Sequence, residues 1–207
     1  MNQTTCVAFA LLLGLVSGVA FGGALTEVEY SGQPLQYTKA GVVDGCGVRL
    51  VGMTKPAPGQ KTVSVLDVSF NVTNPGAGLV KGGLVTIPVQ AVIAGDMAKK
   101  VEVPIRSLWL KAAGKAATTP INGKAIPSTT HRHALMYPTR LEPVLDLIAA
   151  MQQGQAIQVG FHLTAKDMEE VFFGKVHLSD AETEQFAQCF TEWSAALEQR
   201  LLEAPKN

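Results

Sequence analysis

The chain has 207 residues, 47% of them hydrophobic and 16% charged, and its 17 basic groups balance 17 acidic ones. That length suits one ordinary globular domain. Zero net charge excludes a strongly basic nucleic-acid or anionic-membrane binder and an acidic disordered tail, since neither could hold a long-range field of one sign; no fibrous or low-complexity class fits the composition either.

The first 24 residues contain no Asp, Glu, Lys or Arg, and Val7 to Ala20 (VAFALLLGLVSGVA) is an apolar run of signal-peptide length. Ala20-Phe21-Gly22 is the best small-x-small match for a cleavage site, although the terminal amine alone supplies the positive end. This predicts a cleaved secretory signal over 1–22 and a single periplasmic domain over 23–207. The run falls short of the roughly 20 residues that span a bilayer, and no later stretch is long or apolar enough, so no transmembrane span is expected after cleavage. Cleavage removes Cys6 and leaves Cys46 and Cys189. Two cysteines in an oxidising compartment predict one disulfide. Their wide separation is unlike the C-x-x-C spacing of a redox pair, and closing so long a loop stabilises by about 5 kcal/mol as an upper figure.

From Leu25 to about Tyr137 the signals are those of β structure. Cys46 to Met53 is an apolar strand candidate bounded by the turn cluster Lys55-Pro56-Ala57-Pro58-Gly59, whose prolines remove backbone donors. Thr62 to Thr73 alternates, with Val63 and Val65 in one phase and Val68, Phe70 and Val72 in the other; the shift at Leu66-Asp67 predicts a β-bulge. After the turn at Asn74-Pro75-Gly76, Leu84 to Ile93 and Val101 to Leu110 are further strands, which Pro88 and Pro104 mark as edges or bulges. Ala112 to Thr130 lacks periodicity and reads as a mobile surface loop.

The period then changes. Leu141, Val144, Leu145, Ile148 and Met151 share one helical face, with Gly154 as the stop. Ile157, Val159, Phe161 and Leu163 alternate, as do Phe172, Gly174, Val176 and Leu178 on the opposite parity. The expected hairpin pairs Leu163 with Phe172 and Val159 with Val176. Ser179 and Glu182 form a capping box, so a second helix starts near Asp180. Its apolar stripe is Phe186, Cys189, Phe190, Trp193, Leu197 and Leu201, with Pro205 beyond its end. The fold class is therefore α+β: an antiparallel β-sheet or small sandwich with two C-terminal helices packed on it.

Catalytic signals are weak. His131 and His133 share a strand face at about 7 Å, which supplies two metal ligands where a site needs more. There is no nucleophile elbow, P-loop or dinucleotide fingerprint, and Glu169 and Glu170 point to opposite faces if extended. No catalytic residue, metal or cofactor is assigned. Asn71-Val72-Thr73 is a glycosylation sequon inside a strand. Residues 25–130 are net basic and 131–207 net acidic, which favours attraction between the two parts on folding; the charges read first as solvated faces of opposite sign, and the sharper reading is that Lys111, Lys115 and Lys124 meet an acidic partner. Trp193 belongs to the helix stripe, whereas Trp109 near the long loop is the candidate interface anchor.

The C-terminal run LDLIAAMQQGQAIQVGF, followed by VFFGKVHLSDAETEQFAQCFTEW, resembles the invasion-associated locus B family of exported bacterial proteins. The resemblance is confined to the C-terminal third and implies an envelope-associated protein that is not an enzyme. The leading expectation is a non-catalytic protein, exported to the periplasm of a Gram-negative bacterium, that binds another envelope or secreted protein in an accessory, inhibitor or immunity-like role. Its candidate contact residues are Trp109, His131, Arg132 and His133. The alternatives are a metal-dependent hydrolase built on His131 and His133, and a structural component that self-assembles through proline-marked strand edges.

Overall fold

The computed structural model describes residues 25–129, 133–165 and 169–203; the expected signal segment, His131, Arg132 and Pro205 lie outside them. Strands β1 (Leu25–Lys39), β2 (Val42–Thr54), β3 (Thr62–Thr73) and β4 (Ala77–Pro88) form an antiparallel meander. Alternation sends Cys46, Val48 and Leu50 of β2, Leu66, Val68, Phe70 and Val72 of β3, and Val80 and Leu84 of β4 into one core. The bulge expected in β3 is absent, because its register with both neighbours is continuous. Val63 and Val65 change phase because they pack on the opposite face, with Ile87, Val85 and the short helix α1 (Val89–Ile93). β3 is thus apolar on both faces at that end, a pattern that mimics a bulge in sequence. Register shifts occur instead at Tyr37/Thr38 and at Ile105/Ser107.

The strand expected over 84–93 begins earlier and stops at Pro88, where α1 takes over. Its first half is rich in glycine, which hid it. Pro104 separates β5 (Val101–Val103), paired with β4, from β6 (Ile105–Ala112), so the proline lies where the chain changes strand partners. The remaining elements are β7 (Ile126–Pro127), β8 (Leu135–Thr139), α2 (Leu141–Gln152), β9 (Ile157–Leu163), β10 (Glu169–Gly174), β11 (Val176–His177) and α3 (Asp180–Glu203).

The strand order is β6-β9-β10-β1-β2-β3-β4-β8-β7, with β11 on β1 and β5 on β4. The sheet is mixed rather than purely antiparallel, because β1 runs parallel to β10 and β11. The hairpin register also differs from expectation: Phe172 faces Val159 and Glu169 faces His162. Tyr30 N–H bonds to Lys175 O, which draws Val176 onto β1 and away from β9. The predicted parity survives, so Phe172 still shares the core with Val159 and Phe161.

β6 and β8, near opposite ends of the strand order, come together across the core. The Tyr137 hydroxyl donates to Leu108 O at 3.0 Å and lies 2.8 Å from Thr118 Oγ1. Thr118 N–H donates to Leu110 O, and its hydroxyl accepts from Leu110 N–H. Thr119 N–H and Ile121 N–H bond to Thr139 and Pro138 of β8. The connection expected as a mobile loop is therefore pinned between two strands through buried Thr118. Burial pushes the Tyr137 hydroxyl up to about 12, keeping it a neutral donor.

α2 packs on β3 and β4 as well as β6 and β9. Its buried face includes Val144, Leu147, Ile148 and Met151, while Leu145, expected inside, is exposed; the helix is rotated toward Leu147 because it touches both halves of the sheet. Gly154 at φ +64° follows its end. α3 lies on β2 and β1 through Phe186, Cys189 and Trp193. Ser179 and Glu182 form the expected capping box, and the backbone and hydroxyl bonds from Ser179 hold the Glu182 carboxyl below its usual range. Leu201 is 67% exposed because the helix runs past the sheet. Among the described residues no helix is long and apolar enough to cross a membrane.

A disulfide joins Cys46 of β2 to Cys189 of α3, with Cα atoms 5.9 Å apart. Both cysteines are buried in the core, so the bond fastens the last helix to the second strand. Replacing both by alanine is expected to cost about 2–5 kcal/mol in urea unfolding; an unchanged midpoint would show that α3 docks without the bond.

Candidate functional site

The sheet leaves two outward faces, and both carry polar groups among apolar neighbours. On the half formed by β6, β9 and β10, cross-strand register aligns Trp109, Gly160, Val171 and Leu25 in one row. Ser107, His162 and Glu169 form the row on one side, and Lys111, Gln158, Phe173 and Glu27 the row on the other. The alternate residues Leu108, Leu110, Val159, Phe161 and Phe172 are buried beneath. Pleating therefore determines which set faces out.

Trp109 is fixed on this face. Its ring lies so close over Gly160 that a Cβ there would collide with the indole. Its Nε1–H donates to Glu169 Oε1 at 2.5 Å, and Lys111 Nζ sits 5.3 Å from the ring centroid. Trp109, Lys111, Ala117 and Glu169 line a shallow cleft of about 210 Å³. The aromatic is half-buried and held in one orientation by these contacts. In the same row Leu25 is 59% exposed.

The second face belongs to β1–β4. Arg49 of β2 and Asp67 of β3 form a two-bond pair, Nε to Oδ1 at 2.8 Å and Nη2 to Oδ2 at 2.6 Å, and the bond to Asp67 raises the guanidinium above its usual range. Together with Leu35, Tyr37, Ser69, Lys81, Gly83, His133 and Ala134 they line a groove of about 250 Å³. His133 Nδ1 is 2.9 Å from Glu102 Oε1. Asn71, also on the outward side of β3, is only 1% exposed, so the folded chain does not present the sequon.

Trp109 and His133, grouped as contact residues from the sequence, lie on different outward faces and line separate clefts. His131 and Arg132 lie outside the described residues. His162 faces Glu169, whereas His177 pairs with β1 at Ser31. Among the described residues no group of three potential metal ligands occurs. Of the lysines singled out, Lys111 covers Trp109, and Lys115 pairs with Asp146 of α2 at 3.2 Å. Arg200 likewise meets Asp44 at 2.9 Å. These last two pairs join the basic and acidic parts of the chain.

Sequence reasoning missed Arg49 and Asp67. Each is the one charge in its apolar strand run, Cys46 to Met53 and Thr62 to Thr73, and that isolation was the available signal. From the sequence Glu169 reads, with Glu170, as a solvated hairpin end, and nothing local points to its bond with Trp109.

No family model, curated protein or solved structure matches the chain.

Changing Gly160 to alanine is expected to displace the Trp109 ring and break its bond to Glu169, with little loss of global stability. In a two-dimensional amide spectrum the Trp109 indole resonance should move while that of buried Trp193 stays. An unmoved Trp109 signal would contradict the packing described.

Proposed function

We propose that this protein is a non-catalytic, exported binding protein of the bacterial envelope that docks another protein on the outward face of β6, β9 and β10. The observation that carries this reading is the row of Trp109, Val171 and Leu25 across three strands and the glycine between them. Interface energy concentrates in a few ordered aromatic anchors surrounded by contacts that exclude water. Trp109 has that form: glycine beneath, a carboxylate on its N–H and a lysine over its ring hold one orientation before any partner arrives. Little side-chain entropy is then lost on docking. The buried disulfide suits an oxidising compartment such as the periplasm, and the C-terminal resemblance to exported envelope proteins points the same way.

The test is site-specific photocrosslinking in cells that express and export the protein. A benzophenone side chain at Gln158, beside the Trp109 row, should give a discrete heterologous adduct that Trp109→Ala reduces about tenfold, the loss of a central anchor. The same probe at Glu198, on the exposed side of α3, should not. No adduct at Gln158, or an equal adduct from both positions, would overturn the reading.

A further inference from the structure

We propose that the groove on the outward face of β1–β4 is a binding site for a carboxylate group, with Arg49 as its primary contact. The inference is independent of the Trp109 face and survives or fails separately. A guanidinium presents two forks of parallel N–H groups, one along its side and one at its end. Asp67 occupies the side fork through Nε and Nη2. Nη1 has no hydrogen-bond partner among the described residues, so the end fork, Nη1 with the second proton of Nη2, remains available to an incoming anion. The Arg49 side chain is 43% exposed, so the fork is reachable.

The rest of the groove suits a planar carboxylate. Asp67 orients the guanidinium, so little flexibility is lost when a ligand binds. Gly83 leaves the floor bare where a Cβ would come within about 3 Å of His133 and Ala134. Ser69 and Tyr37 bring hydroxyls to the lining, and Lys81 brings a second cation. The end fork of Arg49 offers its two N–H groups in one plane, which matches the two oxygens of a single carboxylate. Glu102 stands behind His133, bonded to its Nδ1, and is absent from the lining. The ligand is an acidic side chain of a peptide or a free organic acid; both present the same group to the fork.

The experiment is an amide chemical-shift titration of the intact disulfide-bonded protein at constant ionic strength. Three probes are compared: an end-blocked triglutamate peptide, citrate and inorganic phosphate. Saturable shifts confined to Arg49, Ser69, Lys81, Gly83 and Ala134 are expected with a carboxylate probe. Arg49→Lys, which keeps the charge and loses the fork, should weaken binding at least about tenfold. Lys81→Gln, a milder change that covers the case where the first variant unfolds, should weaken it about threefold. Preference for the peptide identifies a protein source, and preference for citrate a small acid; either supports the site. Absent or unsaturable shifts, shifts that persist in both variants, or phosphate binding as tightly as the carboxylates would overturn it.

Discussion

The structure depends on the seam between β6 and β8. A sheet this long could lie open with both ends exposed to pairing. Here it curls until β6 comes up to β8, and the gap is bridged by backbone and side-chain bonds of the segment around Thr118 rather than by a direct ladder between the two strands. Thr118 bonds to both backbone groups of Leu110, and Tyr137 reaches across to Leu108 O. With these groups satisfied, α2 can lie on β3, β4, β6 and β9 together, and the apolar sides of both halves form one continuous core. A buried polar cluster of this kind contributes only when complete, because one missing partner leaves the others desolvated and unpaired. The same bonds occupy part of the outer edge of β6.

Curling also determines where binding can occur. Once the inner faces are consumed by the core, the sheet is left with its outward sides. Each carries an ordered feature whose geometry a neighbouring residue imposes: Trp109 over Gly160 and beside Glu169 on one, Arg49 clamped by Asp67 on the other. β1 ties these surfaces into one body, since it pairs with β10 and β11 on one side and β2 on the other. The disulfide holds α3 against that junction.

Local periodicity revealed most elements but little of their assembly. Thr62–Thr73 has the bounds expected from alternation, and the capping box marks the start of α3 where the structure has it. The Cys46–Cys189 link followed from counting cysteines. What stayed hidden depends on long-range packing: Val63 and Val65 looked like a phase slip until α1 covered them, and Leu147 replaced Leu145 inside because α2 contacts both halves of the sheet. Parallel pairing of β1 with β10 joins residues too distant in sequence for any pattern to report. The seam was least legible, because Thr118 sits in an Ala/Gly/Thr/Lys stretch where one buried hydroxyl leaves no periodic trace. Of the candidate site, Trp109 was visible as an isolated aromatic near a loop, but the pairing of Arg49 with Asp67 required the register of β2 on β3.

The seam is the central claim, and residue-resolved amide hydrogen exchange on the intact, oxidised protein tests it most directly. If the curled sheet is sealed as described, the amides of Leu110 and Thr118 exchange about as slowly as those of the central strand β3, and Thr118→Val accelerates both far more than it accelerates β3. Exchange at Thr118 and Leu110 as fast as at the exposed turn 113–116, in the unmodified protein, would contradict a sealed seam and with it the closed core.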